Sequence, residues 1–203
     1  YSRRAFESYL EGKEYEEIAS SEVWYEERTD FSRAAAGTDR ISHKEVRGYE
    51  LLQGKKVFEG RLLGGCLESL YDILTTTRYA DEKAVCEKYG IFPPREEWTG
   101  KILFVETCEE KPQPALFEKE LKALKDRGVF DVVAGVIVGK PQDEAFYEEY
   151  KDIWKKTVNN DQLPIVYNVN FGHATPRCAL QYGTMARVDM EKKVIIFHKP
   201  IDR

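Results

Sequence analysis

Two residues stand where proton chemistry is plausible, Glu106 and His173. Glu106 closes the apolar run Ile102-Leu103-Phe104-Val105, which reads as a short buried strand. In open α/β sheets ligands gather at the carboxyl ends of strands, and a carboxylate there can orient a histidine or act as an acid or base. His173 lies in Asn168-Val169-Asn170-Phe171-Gly172-His173-Ala174-Thr175-Pro176, again just past a strand pattern, and Gly172 lets the chain turn sharply. If both strands belong to one sheet and end on the same side, the two side chains can meet. The carboxylate would fix the imidazole tautomer, leaving the other nitrogen free to take a proton from a nucleophile. Each residue also has a plain reading. Glu106 would begin a solvated loop with Glu109, Glu110 and Lys111, and His173 would be a surface histidine.

The nucleophile is harder to place. The serines are Ser2, Ser8, Ser20, Ser21, Ser32, Ser42 and Ser69, and none sits in a Gly-flanked strand-to-helix turn. Cys108 and Cys178 lie near Glu106 and His173, but neither begins a helix that would lower a thiol pKa. The inert-thiol reading is favoured for both. The chain thus holds a base and its orienter without an evident nucleophile.

The elements that must position these residues follow from periodicity. Residues 3–20 read as a helix interrupted near Gly12, and 28–47 as a polar loop. Tyr49–Gln53 and Lys56–Leu63 read as strands joined by a turn at Gly54. Gly64-Gly65 opens a helix across Leu67, Leu70, Ile73 and Leu74, with a further short helix over 81–89. Then come strand Ile102–Val105, helix Pro114–Arg127 capped by Gly128, strand Val132–Val138, helix Asp143–Lys156 and strand Pro164–Val169. This alternation predicts a partly parallel sheet with covering helices. Thr184–Asp189 and Lys193–His198 add a C-terminal antiparallel hairpin, so the fold class is α/β with a mixed sheet.

Composition narrows the function. The chain has 203 residues and a net charge of −5, which suits one domain and no nucleic-acid partner. No apolar stretch is long enough for a membrane span. Its four cysteines are scattered, which argues against a disulfide framework or a zinc site and favours a reducing compartment. No metal or cofactor is expected. The opening Tyr1-Ser2-Arg3-Arg4 carries no initiator Met, so the chain reads as a piece of something longer.

Four stretches in order resemble a known family: Gly60-Arg61-Leu62-Leu63-Gly64-Gly65-Cys66-Leu67; Gly100-Lys101-Ile102-Leu103-Phe104-Val105-Glu106; Gly128-Val129-Phe130 with Gly135-Val136-Ile137-Val138-Gly139; and Asn170-Phe171-Gly172-His173 with Pro176. The chain resembles the C-terminal domain of the LD-carboxypeptidase family of serine peptidases, from about Trp24 to Phe197. That family includes muramoyltetrapeptide carboxypeptidases and microcin C self-immunity proteins. Asn168–Pro176, Glu109-Glu110-Lys111-Pro112 and Gly139-Lys140-Pro141-Gln142-Asp143-Glu144 resemble the self-immunity branch most. The resemblance implies a swivelling β/β/α domain over residues 1–203. Residues 1–22 would be a helical segment leading from an absent N-terminal domain. It implies a Ser-Glu-His triad with Glu106 and His173 as the matching residues, the serine lying in that absent domain. It also implies a cytoplasmic homodimer without a metal. Departures are Cys66 where Asn is usual, Thr75-Thr76 where Gly-Thr is usual, and Asn170 where many members have Asp.

The implied activity is amide hydrolysis, with His173 as base and then acid. The substrate would be a cell-wall peptide with an L,D bond or a peptidyl-nucleotide. Lys111 would meet an anionic substrate group as a point charge, or else be a solvated lysine. Trp24 and Phe31 would stack on a planar group, or else pack in the core or on the absent domain. Cys66 would stand close to the active site. Two other readings stay open: a non-catalytic dimerisation or domain-packing module, and a Cys-His hydrolase using Cys108 or Cys178.

Overall fold

The computed structural model describes residues 1–11, 15–75 and 78–198. In chain order the elements are α1 (Ser2–Leu10), β1 (Tyr15–Ala19), β2 (Val23–Tyr25), β3 (Ser42–Lys44), β4 (Glu50–Gln53), β5 (Val57–Cys66), α2 (Leu67–Thr75), α3 (Glu82–Tyr89), β6 (Ile102–Glu106), α4 (Pro114–Asp126), β7 (Gly135–Gly139), α5 (Tyr147–Val158), β8 (Ile165–Val169), β9 (Met185–Asp189) and β10 (Val194–His198). Eight strands form one mixed sheet in the order β1-β10-β9-β5-β6-β7-β8-β4. β5, β6, β7 and β8 are parallel, while β1, β10, β9 and β4 join antiparallel. β2 and β3 make a separate antiparallel pair. This is the α/β architecture with a mixed sheet, covering helices and a C-terminal hairpin that the sequence predicts.

The central strands form because every residue of β6, β7 and β8 is buried. Strands covered on both faces read as continuous apolar runs rather than alternating ones. Alternation still sorts the side chains. Leu103, Val105, Val136, Val138, Ile165 and Tyr167 pack with Phe117, Leu121, Leu124, Tyr150 and Trp154 of α4 and α5. Ile102, Phe104, Ile137 and Val166 point the other way, into a second core with Phe58, Leu62, Val188, Ile195 and Phe171. Glu106 continues the parity of Ile102 and Phe104. It therefore emerges on the face opposite the helices, where the chain after β8 crosses.

Several local expectations differ from the structure. The helix read over 3–20, and with it a helical segment over 1–22, stops at Leu10. Tyr15–Ala19 is instead β1, ordered by pairing with β10 along its whole length. Its helical spacing is overridden by a tertiary partner. The interruption expected at Gly12 lies outside the described residues, as does Thr76. The polar loop over 28–47 contains a 3-10 turn at Arg33–Ala35 and strand β3. Gly64 and Gly65 belong to β5 rather than to the helix they were expected to open. β7 starts at Gly135 because Val129–Asp131 forms a 3-10 turn first. α5 starts at Tyr147, since Asp143, Glu144 and Phe146 all take positive φ.

Two buried ionisable groups mark the helical layer and the strand ends. Lys140, just past β7, is 2% exposed. Its Nζ donates to Glu45 Oε2 at 2.9 Å, Glu144 Oε1 at 2.6 Å and Asn168 Oδ1 at 3.2 Å. A buried ammonium needs such a shell, because an unpaired one would bear the full cost of desolvation. Glu120 of α4 is also 2% exposed, and its Oε2 has no partner among the described residues. Burial, with the charges of Glu68 and Asp72, pushes its carboxyl up to about 8.

That shift makes a stability prediction. Between the ordinary value of 4.5 and about 8, the unfolded chain has lost the Glu120 proton and the folded chain keeps it. Stability therefore falls as pH rises through that window. Glu120→Gln should leave the melting temperature unchanged near pH 4 and raise stability by about 2 kcal/mol at pH 8. Thermal melts across pH check it, and equal wild-type and variant slopes would refute it.

Candidate functional site

Glu106 is the last residue of β6 and is 7% exposed. Its Oε2 accepts the backbone N–H of His173 at 2.8 Å. His173 Nδ1 lies 2.8 Å from the same oxygen and 3.1 Å from Oε1. One carboxylate thus holds both the main chain and the ring of the histidine. Burial pushes the Glu106 carboxyl upward, the bonds from His173 pull it back, and the charge of Glu68 adds to the upward push.

This contact crosses a strand, since β7 lies between β6 and β8. Gly139, the end of β7, makes the crossing possible. A Cβ there would lie 2.6 Å from Glu106 Cβ and 3.0 Å from Phe171 O. Gly172 is equally constrained. Its φ is +88°, and a Cβ would lie 2.4 Å from Glu106 Cγ and Oε2. The glycine lets the backbone lie flat against the carboxylate, as its left-handed φ requires.

The rest of the loop is tied to the β2–β3 hairpin. Asn170 Oδ1 accepts the Ser21 N–H at 2.9 Å, and Tyr25 N–H donates to Thr175 O at 3.0 Å. Arg40 reaches Thr175 Oγ1 at 3.2 Å. Lys140 and Glu45 anchor the same hairpin from below.

The His173 side chain is 41% exposed, and its Nε2 lies 3.5 Å from Glu109 Oε2. The ring borders a cleft of about 430 Å³, lined also by Cys66, Glu68, Ser69, Asp72, Arg78, Cys108, Glu109 and Glu110. Cys66 ends β5 opposite Glu106 in the parallel register. Its Sγ donates to Glu68 Oε2 at 3.1 Å, while Glu68 Oε1 accepts the Cys108 N–H at 3.0 Å.

The structure therefore brings Glu106, His173 and Cys66 together. Lys111 and Trp24 do not line this cleft. Lys111 Nζ donates to Asp143 Oδ2 at 2.5 Å. Trp24 stacks on His43 with centroids 4.2 Å apart, and Lys140 Nζ lies 5.1 Å from the indole. Phe31 is 83% exposed. Glu68 went unremarked in the sequence. The available signal was an acidic residue in the first turn of a helix directly after a strand end. Ser69 lines the cleft without a hydrogen bond to His173 among the described residues.

The thiols are poor nucleophiles here. Burial pushes Cys66, Cys108 and Cys178 each up to about 12. Thiolate is scarce at neutral pH under such conditions, which argues against a Cys-His hydrolase. No group of three or more His, Cys, Asp or Glu residues among those described is arranged to hold a metal. No helix among them is long and apolar enough to cross a membrane.

The glycine dependence is testable. Gly172→Ala should cost about 1–3 kcal/mol and displace the His173 ring. Gly183→Ala is the control: φ is +75° but nothing lies within 4 Å of a Cβ there, so backbone strain alone should act. Chemical denaturation and the His173 ring signals distinguish them. Equal costs with an unmoved ring would contradict the close approach.

Comparison with known proteins bears on the family to which the chain belongs. Residues 59–188 match the family model described as LD-carboxypeptidase C-terminal domain. A protein of Treponema pallidum (strain Nichols) named "Putative carboxypeptidase" is 34% identical over 98 residues, which is 46% of this chain and 28% of that protein. The crystal structure of an MccF-like protein from Streptococcus pneumoniae, in complex with AMP, superposes with a TM-score of 0.92 at 51% identity. That match covers 97% of this chain and 57% of the other. An MccF-like protein from Bacillus anthracis str. Ames shares the fold, with a TM-score of 0.70 at 23% identity over 92% of this chain and 52% of its own. The chain thus spans under two thirds of the relatives it matches. With the matched model spanning both strand ends of the Glu106–His173 pair's sheet up to β9, the chain belongs to the LD-carboxypeptidase family, in its C-terminal domain.

Proposed function

We propose that this domain supplies the acid–base half of a Ser-Glu-His triad for amide hydrolysis, with the serine contributed from outside this chain. The observation that carries the reading is the double hold of Glu106 on His173. An ionised carboxylate only accepts hydrogen bonds, so Nδ1 bears the proton and Nε2 of the neutral ring is left bare. Nε2 takes the serine proton as Oγ attacks the carbonyl carbon. Glu106 stabilises the imidazolium so formed without taking its proton. The imidazolium then protonates the leaving amine as the C–N bond breaks. Water then attacks the acyl carbon, giving its proton to Nε2, and the C–Oγ bond breaks as the serine oxygen recovers that proton and the acid product is released.

A peptide or peptidyl-nucleotide suits this reading. Family membership supports the peptide bond as target. The Streptococcus pneumoniae relative, solved with AMP, supports a nucleotide portion. The second reading, a non-catalytic module, draws on the lack of a serine bonded to His173 among the described residues.

Kinetics on the protein that includes the serine-bearing region separate the two. Glu106→Gln and His173→Ala should each lower kcat by about 10²–10⁴-fold with little change in KM. Full turnover by His173→Ala would remove His173 from the triad. Absence of hydrolysis in the wild-type protein across peptide and peptidyl-nucleotide substrates would favour the module.

A further inference from the structure

Of the charged side chains around the cleft, one reaches the nitrogen that must take the proton. Glu109 Oε2 lies 3.5 Å from Nε2 of His173, and among the described residues the imidazole is its only ion-pair partner. The Glu109 side chain is more than half exposed, so its place is set by the loop that carries it.

That loop, between β6 and α4, is fixed at both ends. At its start the Cys108 N–H donates to Glu68 Oε1 at 3.0 Å. The Lys111 N–H then meets Cys108 O, closing a turn around Glu109 and Glu110. At its end Lys111 Nζ donates to Asp143 and the Tyr150 hydroxyl donates to Pro112 O. Glu68 is itself held, because its Oε2 accepts the Cys66 thiol at the end of β5. Burial and the Glu68 charge push that thiol up to about 12, so it stays protonated as a donor. Cys66, Glu68 and the Cys108 N–H thus tie the end of β5 to the loop that presents Glu109.

The interaction at Nε2 changes sign during the reaction. With the ring proton on Nδ1, toward Glu106, Nε2 carries a bare lone pair and has no hydrogen to give the Glu109 carboxylate. Once the serine proton arrives, the same carboxylate faces a cation. A contact that is unfavourable before proton transfer and favourable after it lowers the barrier rather than tightening substrate binding. The 3.5 Å gap exceeds the roughly 2.7–2.9 Å of a charged hydrogen bond, so Glu109 acts through its field and leaves the proton for the departing amine.

We propose that Glu109 is a second catalytic carboxylate, stabilising the His173 imidazolium from the Nε2 side, and that Glu68 is the positioning residue that holds it there through the Cys108 N–H. The proposal rests on the triad reading and adds to its machinery. The serine proton passes to Nε2 and then to the leaving amine, and Glu109 neither gains nor loses one.

Kinetics on the protein that includes the serine-bearing region test it, with the peptide or peptidyl-nucleotide amide that the wild type hydrolyses fastest. Glu109→Gln removes a charge from an exposed loop position, where folding is not at stake. Its kcat should fall about five- to tenfold with little change in KM, the size expected of a charge pair at this separation screened by water. Glu68→Ala should lose a similar factor and displace the Cys108 and Glu109 amide signals. Glu68→Gln keeps an acceptor for the Cys108 N–H and should recover most of that loss. The double variant Glu68→Ala/Glu109→Gln should be no slower than the slower single one, because both changes remove the same contribution. An unchanged kcat in Glu109→Gln, or a loss confined to KM, would overturn the role of Glu109. Losses that multiply in the double variant, or Glu68→Gln as slow as Glu68→Ala, would overturn the role of Glu68. Turnover abolished by His173→Ala but untouched by Glu109→Gln defeats the second carboxylate alone. Full turnover in His173→Ala defeats the triad, and the second carboxylate with it.

Discussion

The Glu106 carboxylate, gripping both the backbone N–H and the ring of His173, is the constraint around which the rest of the domain is arranged. The two residues come from non-adjacent strands, and the end of β7 lies between them. The bond therefore needs parallel strands ending at one level, a side chain missing at Gly139, and a loop that bends back at Gly172. It also needs burial. Removed from water, the carboxylate interacts more strongly with the imidazole than it would at the surface. The same burial raises its own carboxyl pKa, which the two bonds from His173 oppose.

The surroundings hold that loop by means separate from the site itself. The buried Lys140 joins the hairpin at Glu45, the turn at Glu144 and the end of β8 at Asn168. The Trp24 indole sits beside this ammonium and against His43. Removing one member of such a group would leave buried charge uncompensated, so the network holds the hairpin in one placement. The hairpin in turn bonds Asn170 and Thr175 on either side of His173.

Much of this was legible in the sequence, for physical reasons. β6, β7 and β8 are apolar on both faces, so they read without an alignment, and α4 carries Pro114 at its start and Gly128 after its end. Glu106 and His173 stood out because each follows such a run. What could not be read depends on distant partners. β1 looks helical until β10 lies beside it. β4 precedes β5 closely in sequence yet pairs with β8 at the far edge of the sheet. The pairing of Lys111 with Asp143 is also hidden, because nothing nearby in the sequence shows that Asp143 will meet it. The acidity of the cleft was hidden similarly, being assembled from α2 and the loop after β6.

The account stands on which nitrogen of His173 carries the proton. Long-range proton–nitrogen correlation spectra of the neutral ring report this directly. The geometry predicts a proton on Nδ1, donated to Glu106, and a bare Nε2 facing the cleft. A neutral ring protonated on Nε2, with Nδ1 bare, would contradict it. Glu106 would then have to be the donor, and His173 could not take a proton from a nucleophile at the cleft.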